Sequence, residues 1–180
     1  MSEYVLEMQG IVKRYPGVLA VNAGSWQAPF GISLVADLLA AAMVLITGIM
    51  AVAVAVFEMA GQTRVRDRAF HHPLYHGLLF GVAGSFLTGD LFNLYVWFEV
   101  MLISSFGLLV VGGRREQLDA GVKYVTLNLV ATTFLLIAVG LLYGTTGTLN
   151  MADLARTLPD VGNQGLVATL SILLLIAFAS

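Results

Sequence analysis

The 180-residue chain contains no cysteine. This absence excludes disulfide bonds, thiolate metal sites, thiol nucleophiles and cysteine-ligated iron–sulfur clusters. Any electron transfer would have to take place on another chain. We therefore expect no cofactor in this chain and no redox or hydrolytic site, so that the chain is not an enzyme by itself.

Charge is also scarce, because Asp, Glu, Lys and Arg make up 11% of the residues while 58% are hydrophobic. An ordinary soluble domain has about 25% charged residues. The net charge of -2 provides no basic field that would attract nucleic acid. The first 21 residues carry charges and lack an uninterrupted apolar core, so they do not fit a signal peptide. The expected partners are lipid and other membrane subunits.

Five apolar segments have about the length that a helix needs to cross a bilayer, roughly 20 residues. They lie at about 33–59, 70–89, 91–112, 119–143 and 162–180. They are too long for barrel strands and show no alternation of polar and apolar residues. We predict an all-α, polytopic bundle of transmembrane helices formed by residues 26–180, with residues 1–25 as an atypical segment that does not cross the membrane. The last segment is still apolar at Ser180, which suggests a truncated part of a larger fold.

The loops predict which side of this bundle faces the cytoplasm. The loops at 61–69 and 112–118 hold five arginines, whereas the opposite loops hold Arg156 alone. Because short cytoplasmic loops are enriched in basic residues, the arginine-rich side should be cytoplasmic. Lys13 and Arg14 fit this orientation poorly.

Glu99 is the one charged residue within the third segment, and it lies near the predicted bilayer midplane, about 12 Å from the start of the helix. A charge at that depth costs about 2.5–3.5 kcal/mol on insertion scales. Burial disfavours the charged form and an adjacent cation favours it, so such a group suits a proton relay. The alternative is a neutral or hydrogen-bonded structural glutamate between helices.

Two other groups of residues are secondary candidates for a proton path. His72 and His76, spaced i and i+4 at the start of the second segment, could take up protons, form interfacial hydrogen bonds or share a metal. Only Asp67 offers a third ligand, and we expect no metal site. Lys123 lies about 7 Å into its helix from the cytoplasmic side, too far from Glu99 to pair with it. It should either extend to the interface or serve in proton uptake.

Several polar residues near helix ends have simpler structural interpretations. Asp37 is either a first-turn helix charge or part of an outer half-channel. Asp90 precedes a helix and is expected to be its N-cap. Asn128 should form a hydrogen bond between helices or hold water. Asn150 and Asp153 are predicted to cap a short surface helix.

The sequence around Glu99 resembles a known family. FLTGDLFNLYVWFEVMLISSFGLLV, at 86–110, closely resembles the same helix in the D-type subunit of Mrp-type multisubunit cation/proton antiporters. WQAPFGISLVADLL at 26–39 and KYVTLNLVATTFLLIAVGLLYGTTGTLNMADLA at 123–155 also resemble that family. The resemblance implies that Glu99 is required for transport. It also implies partner subunits, H+ and Na+ as transported ions, and location in the bacterial inner membrane.

The chain departs from the family pattern at both ends. Its first 20 residues resemble instead the start of a sugar-importer ABC ATPase, but no Walker motif follows. The family's essential lysine would come directly after Ser180, so the Glu/Lys pair that the resemblance implies is incomplete here. Complex I membrane subunits are relatives that share the glutamate. The alternatives are therefore a proton-pumping subunit of a complex I-like NADH:quinone oxidoreductase or membrane hydrogenase, or an inactive fragment.

Overall fold

The computed structural model describes residues 12–15, 18–22, 31–59 and 65–179, with side chains described in 31–59 and 70–179. Most of this chain is helical, and the predicted bundle of membrane helices is confirmed. In chain order the elements are the strands β1 (Val12–Tyr15), β2 (Val18–Asn22) and β3 (Ser33–Ala36), followed by the helices α1 (Leu38–Met59), α2 (Val65–Leu87), α3 (Leu91–Val110), α4 (Arg115–Thr146), α5 (Met151–Thr157) and α6 (Gln164–Ala179). A single 3-10 turn, Leu158–Asp160, follows α5.

Three of the described helices, α1, α3 and α4, are long and apolar enough to cross a membrane. Each of the five predicted segments overlaps one of the helices α1, α2, α3, α4 and α6. The described part of α6 has 16 residues. α2 begins with charged residues and carries three histidines and Pro73, which makes it more polar than its neighbours. By length and composition α1, α3 and α4 are candidate spans among the described residues; α2 packs against α3, and α6 packs against α4 up to Ala179, the last described residue.

The prediction of a helix starting at residue 33 was wrong. Ser33–Ala36 is the strand β3, which pairs antiparallel with β2, and β2 pairs with β1. The helix begins only at Leu38 because the Asp37 carboxylate accepts a hydrogen bond from the Ala40 N–H at 2.7 Å. The predicted resemblance of residues 1–20 to an ATPase start lies largely outside the described residues.

The loops at one end of the bundle are joined by hydrogen bonds into what we call the loop network: β3, residues 88–90 and residues 148–150. Gly89 N–H donates to the Ser33 carbonyl at 2.8 Å, and Gly89 in turn accepts from the Met151 N–H at 2.9 Å. The Asn150 amide donates to the Ser33 hydroxyl at 3.1 Å. This network fixes the ends of α2, α3 and α4 relative to one another.

The predicted caps in this network are present. The Asp90 carboxylate accepts from the Asn93 N–H at 3.0 Å, so Asp90 is the N-cap of α3. The Asn150 side chain accepts from the N–H groups of Ala152 and Asp153 and caps α5. Burial raises the pKa of the Asp90 carboxyl above its usual range, although backbone N–H groups of Asn93 and Phe92 act in the opposite direction.

The small buried core lies between α4, α5 and α6. One cluster contains Leu135, Val139 and Ala177, and the other contains Leu142, Leu154 and Leu170. Many large apolar side chains elsewhere are exposed, for example Leu38, Phe57 and Met59 of α1. An apolar surface of this extent is suited to lipid or to neighbouring membrane subunits.

Candidate functional site around Glu99

Glu99 lies near the middle of α3 and is the only charged residue in that helix. By helical rise it is about 12 Å from Leu91 and about 16 Å from Val110. Its side chain is half-buried. Glu99 therefore lies near the middle of the helix, as the sequence predicted, with no basic or acidic neighbour on α3. Its depth in the bilayer stays a prediction.

One side of α3 is fixed by glycines of α2. A side chain at Gly84 would meet the Trp97 ring, and a Cβ at Gly81 would lie 2.6 Å from Cγ of Met101. Small residues allow two membrane helices to approach this closely. Glu99 is two positions from both Trp97 and Met101, and two helical positions correspond to a rotation of about 200°. Glu99 therefore faces away from α2.

Tyr95 lies one helical turn before Glu99 within α3. Residues four positions apart project from the same side of a helix, so the Tyr95 hydroxyl and the Glu99 carboxylate share one side of α3. The Tyr95 ring packs against the core cluster of Leu135, Val139 and Ala177. This packing holds the tyrosine ring against the core formed by α4 and α6. The sequence predictions did not include Tyr95, although its i−4 spacing from Glu99 was a usable signal.

A cavity of about 380 Å³ lies between α2, α3, α4 and α6, and Glu99 is not among its lining residues. Four of its lining residues have polar side chains: Ser105, Tyr124, Asn128 and Thr132. The Ser105 and Tyr124 hydroxyls are 2.8 Å apart. The other lining residues are apolar. Since one water occupies about 30 Å³, the cavity has room for several waters beside these four polar side chains. Phe98, the residue before Glu99, forms part of its wall.

Asn128 does not form a side-chain hydrogen bond between helices among the described residues. Its amide donates to the Tyr124 carbonyl of its own helix at 2.8 Å. Of the two roles predicted for it, the position in the cavity wall agrees better with holding water.

Lys123 is not brought to Glu99. Its ammonium group forms an ion pair with Asp119 at 2.7 Å, and the two side chains are 72% and 67% exposed. Gly121, two positions earlier, packs against Phe106 of α3, so Lys123 faces the opposite way. A role for Lys123 in proton uptake stays a prediction.

The other secondary candidates lie at opposite ends of the bundle. Asp37 caps α1 beside the loop network, which agrees with the first of its two predicted roles. His72 and His76 are exposed at the arginine-rich end. There the structure adds a residue that the sequence did not suggest: Oε1 of Glu58 is 3.0 Å from Nδ1 of His71. Neither group is near enough along the helices to share a proton directly with Glu99.

Comparison with known proteins decides the family. Residues 88–180, which include Glu99 and every cavity-lining residue except Leu78, match the family described as "NADH:quinone oxidoreductase/Mrp antiporter, TM". The chain belongs to this NADH:quinone oxidoreductase/Mrp antiporter family.

Relatives within the antiporter branch are close in sequence. The chain is 43% identical over 162 residues to the D-type subunit of the Na(+)/H(+) antiporter of Bacillus subtilis, a match that covers 90% of this chain and 33% of the relative. It is 47% identical over 144 residues to the D-type subunit of a probable K(+)/H(+) antiporter of Rhizobium meliloti, covering 79% of this chain and 26% of that protein. The chain thus spans about a third of the length of such relatives or less.

Two solved membrane complexes of the antiporter and respiratory type contain a similar chain. The Mrp complex from Dietzia aligns with a TM-score of 0.77 at 35% identity, covering 91% of this chain and 30% of that chain. The archaeal membrane-bound sulfane sulfur reductase aligns with a TM-score of 0.81 at 34% identity, covering 88% and 32%. The predicted resemblance to the D-type subunit of Mrp-type antiporters is confirmed. This member of the family is a multi-pass membrane protein whose relatives are subunits of multisubunit complexes.

Proposed function

We propose that this chain forms part of a proton-translocating subunit of a cation/proton antiporter, and that Glu99 gains and releases a proton during transport. The observation that carries the proposal is the position of Glu99: a lone, half-buried carboxylate halfway along a membrane helix. A charge at that depth is costly, so a protein retains it where its change of protonation is used.

The surroundings of Glu99 support a role in proton transfer. Tyr95, one helical turn before Glu99, supplies a hydroxyl on the same side of α3. The cavity begins at Phe98 and provides room for water, and its nearest polar lining residue on α3, Ser105, lies about 9 Å further along the helix. Protons move through membrane proteins along such chains of polar groups and water.

The proposed ions and the proposed membrane rest on the relatives and not on the geometry around Glu99. Relatives named as Na(+)/H(+) and K(+)/H(+) antiporter subunits support H+ exchange for a monovalent cation, with Na+ as the first choice. Their bacterial sources support the bacterial inner membrane as the location. Other membrane subunits and the lipid bilayer would cover the exposed apolar faces of α1 and α4.

Transport rather than conversion of a substrate is the proposed activity. The sequence has no cysteine for an iron–sulfur cluster, and its residues lack a Walker phosphate loop. A second candidate function is supported by the likeness to the sulfane sulfur reductase complex, in which the same kind of subunit would belong to a respiratory enzyme. In that case proton movement would depend on an electron donor.

The test is growth of a salt-sensitive bacterium that lacks its antiporters, complemented by the complete subunit in its complex. The wild-type gene should restore growth at high Na+, and Glu99→Gln should not. Glu99→Asp should restore growth in part, because it keeps the acid but shortens its reach. Glu116→Gln is the matched control, since Glu116 is exposed at the start of α4 and should be dispensable. Full growth with Glu99→Gln would remove the proposed role.

An assay in membrane vesicles distinguishes the antiporter from the respiratory alternative. Cation-driven proton exchange without an electron donor supports the antiporter. Proton movement that requires reduced donor would assign the chain to a respiratory complex instead.

A further inference from the structure

The end of the α1–α2 hairpin contains a cluster of potential metal ligands that is separate from the site around Glu99. Glu58 of α1 and His71 and His72 of α2 each offer one ligand atom, and these atoms all lie within 4.8 Å of one another. We propose that these three residues bind a divalent transition-metal ion of the Zn2+ type and so join α1 to α2.

The closest pair in the cluster already has almost the spacing that a metal requires. Oε1 of Glu58 and Nδ1 of His71 are 3.0 Å apart. Two ligands bound to tetrahedral zinc at about 2.0–2.1 Å lie roughly 3.3 Å from each other. A shift of a few tenths of an ångström would therefore admit the ion between these two atoms.

The hydrogen bonding of His71 leaves its ring nitrogen available to a metal. Nδ1 of His71 is buried and makes no well-directed hydrogen bond within the described residues, despite its distance from Glu58. When Nδ1 carries no proton, it and the carboxylate oxygen that faces it both present lone pairs, and they repel unless a metal ion lies between them. A metal would satisfy both groups at once.

The His71 ring is held in place before any metal binds. It stacks on the Tyr75 ring, with centroids 6.1 Å apart and planes inclined by 16°. The Tyr75 hydroxyl donates to the Ala51 carbonyl of α1 at 2.8 Å. Tyr75 thus fixes both the His71 ring and the spacing of the two helices. Less conformational entropy is therefore lost when a metal ion binds.

The end of α1 favours a cation, although the adjoining segment 61–69 carries three arginines. Glu58 lies in the last turn of α1, where the helix dipole is negative, and that turn contains no basic residue. Two imidazoles and one carboxylate suit Zn2+ and its neighbours in the first transition row, whereas Mg2+ and Ca2+ prefer oxygen ligands. His72 is exposed, so the fourth position of the ion would be open to water.

Sequence spacing alone points to a different pair, His72 and His76, and this difference provides the control. His76 is one turn beyond His72 on α2 and is not part of the three-ligand cluster. His76→Gln therefore changes a histidine on the same helix without removing a proposed ligand.

The experiment is a Zn2+ titration of the complete protein, purified and reconstituted in lipid, in competition with a chromophoric chelator. Wild type should bind one Zn2+ per chain, and an excess of Mg2+ should not displace it. Glu58→Gln and His72→Gln should each weaken Zn2+ binding by about tenfold or more. Loss of the hydrogen bonds that support a ligand already weakens metal binding by about that factor, and loss of the ligand itself should weaken it at least as much. His76→Gln should bind like wild type. Helical circular dichroism of each variant shows that it has folded.

Two results would overturn the proposal. One is the absence of saturable one-to-one Zn2+ binding by the folded wild-type protein. The other is binding that survives Glu58→Gln but is lost in His76→Gln, which would assign the ion to the two histidines spaced one turn apart. Neither result depends on ion transport, so the proposal stands or falls separately from the role of Glu99.

Discussion

The ring of Trp97 in α3 occupies the space that any side chain at Gly84 in α2 would need. This contact has a consequence for Glu99, two positions further along α3. Because Trp97 is held against α2, the carboxylate must face the other side of the helix, toward Tyr95 and the flank of α4. The glycine thus orients the candidate site without touching it.

Gly84→Ala should therefore destabilise the protein. The added methyl group would force the Trp97 ring or the whole of α3 to move, and overpacking of this kind costs about 1–3 kcal/mol. Gly140→Ala is the matched control, since a Cβ at Gly140 meets nothing within 4 Å. Alanine there should be neutral or stabilising by up to about 1 kcal/mol. Thermal unfolding in detergent measures both, and equal stability of the two variants would contradict the close packing of α2 on α3.

Tyr95→Phe should lower the rate of exchange while leaving the fold intact. The variant removes the hydroxyl that lies one helical turn before Glu99, and a proton path along that side of α3 would use such a polar group. We expect the rate of exchange in vesicles to fall severalfold. Tyr143→Phe, at an exposed position on α4, is the control and should exchange at the wild-type rate. A wild-type rate in Tyr95→Phe would show that the hydroxyl takes no part in transport.

Asn150→Ala should cost more stability than Asn163→Ala. Both asparagines accept a hydrogen bond from a backbone N–H at the start of a helix, and loss of such a cap costs about 1 kcal/mol. Asn150 also donates to the Ser33 hydroxyl and so ties α5 to β3. Chemical denaturation of the two variants should show the larger loss for Asn150→Ala. Equal losses would mean that the link to β3 contributes nothing.

Local sequence patterns predicted the features of this fold that depend on neighbouring residues. The long apolar runs indicated the helices, and the positions of Asp90 and Asn150 before such runs predicted two N-caps that the structure contains. Glu99 stood out because a single charge interrupts an apolar helix. Each of these signals lies within a few residues of the feature that it predicts.

Features that depend on distant pairing were not predictable in the same way. Ser33–Ala36 continues an apolar segment, and only its pairing with β2 makes it a strand. Glu58 follows the apolar run of α1, and from the sequence alone it is simply a charged residue at a helix end. Its approach to His71 depends on the register of the α1–α2 hairpin, which Tyr75 and Ala51 fix across 24 positions of sequence.

The central claim is that protonation of Glu99 is a step in transport. Its most direct test is Na+-driven proton exchange in inverted membrane vesicles, followed by a pH-sensitive dye, with the complete subunit assembled in its complex. Glu99→Gln, expressed at the wild-type level, should give no Na+-dependent signal. Glu116→Gln should exchange at the wild-type rate. A wild-type rate in Glu99→Gln would contradict the claim.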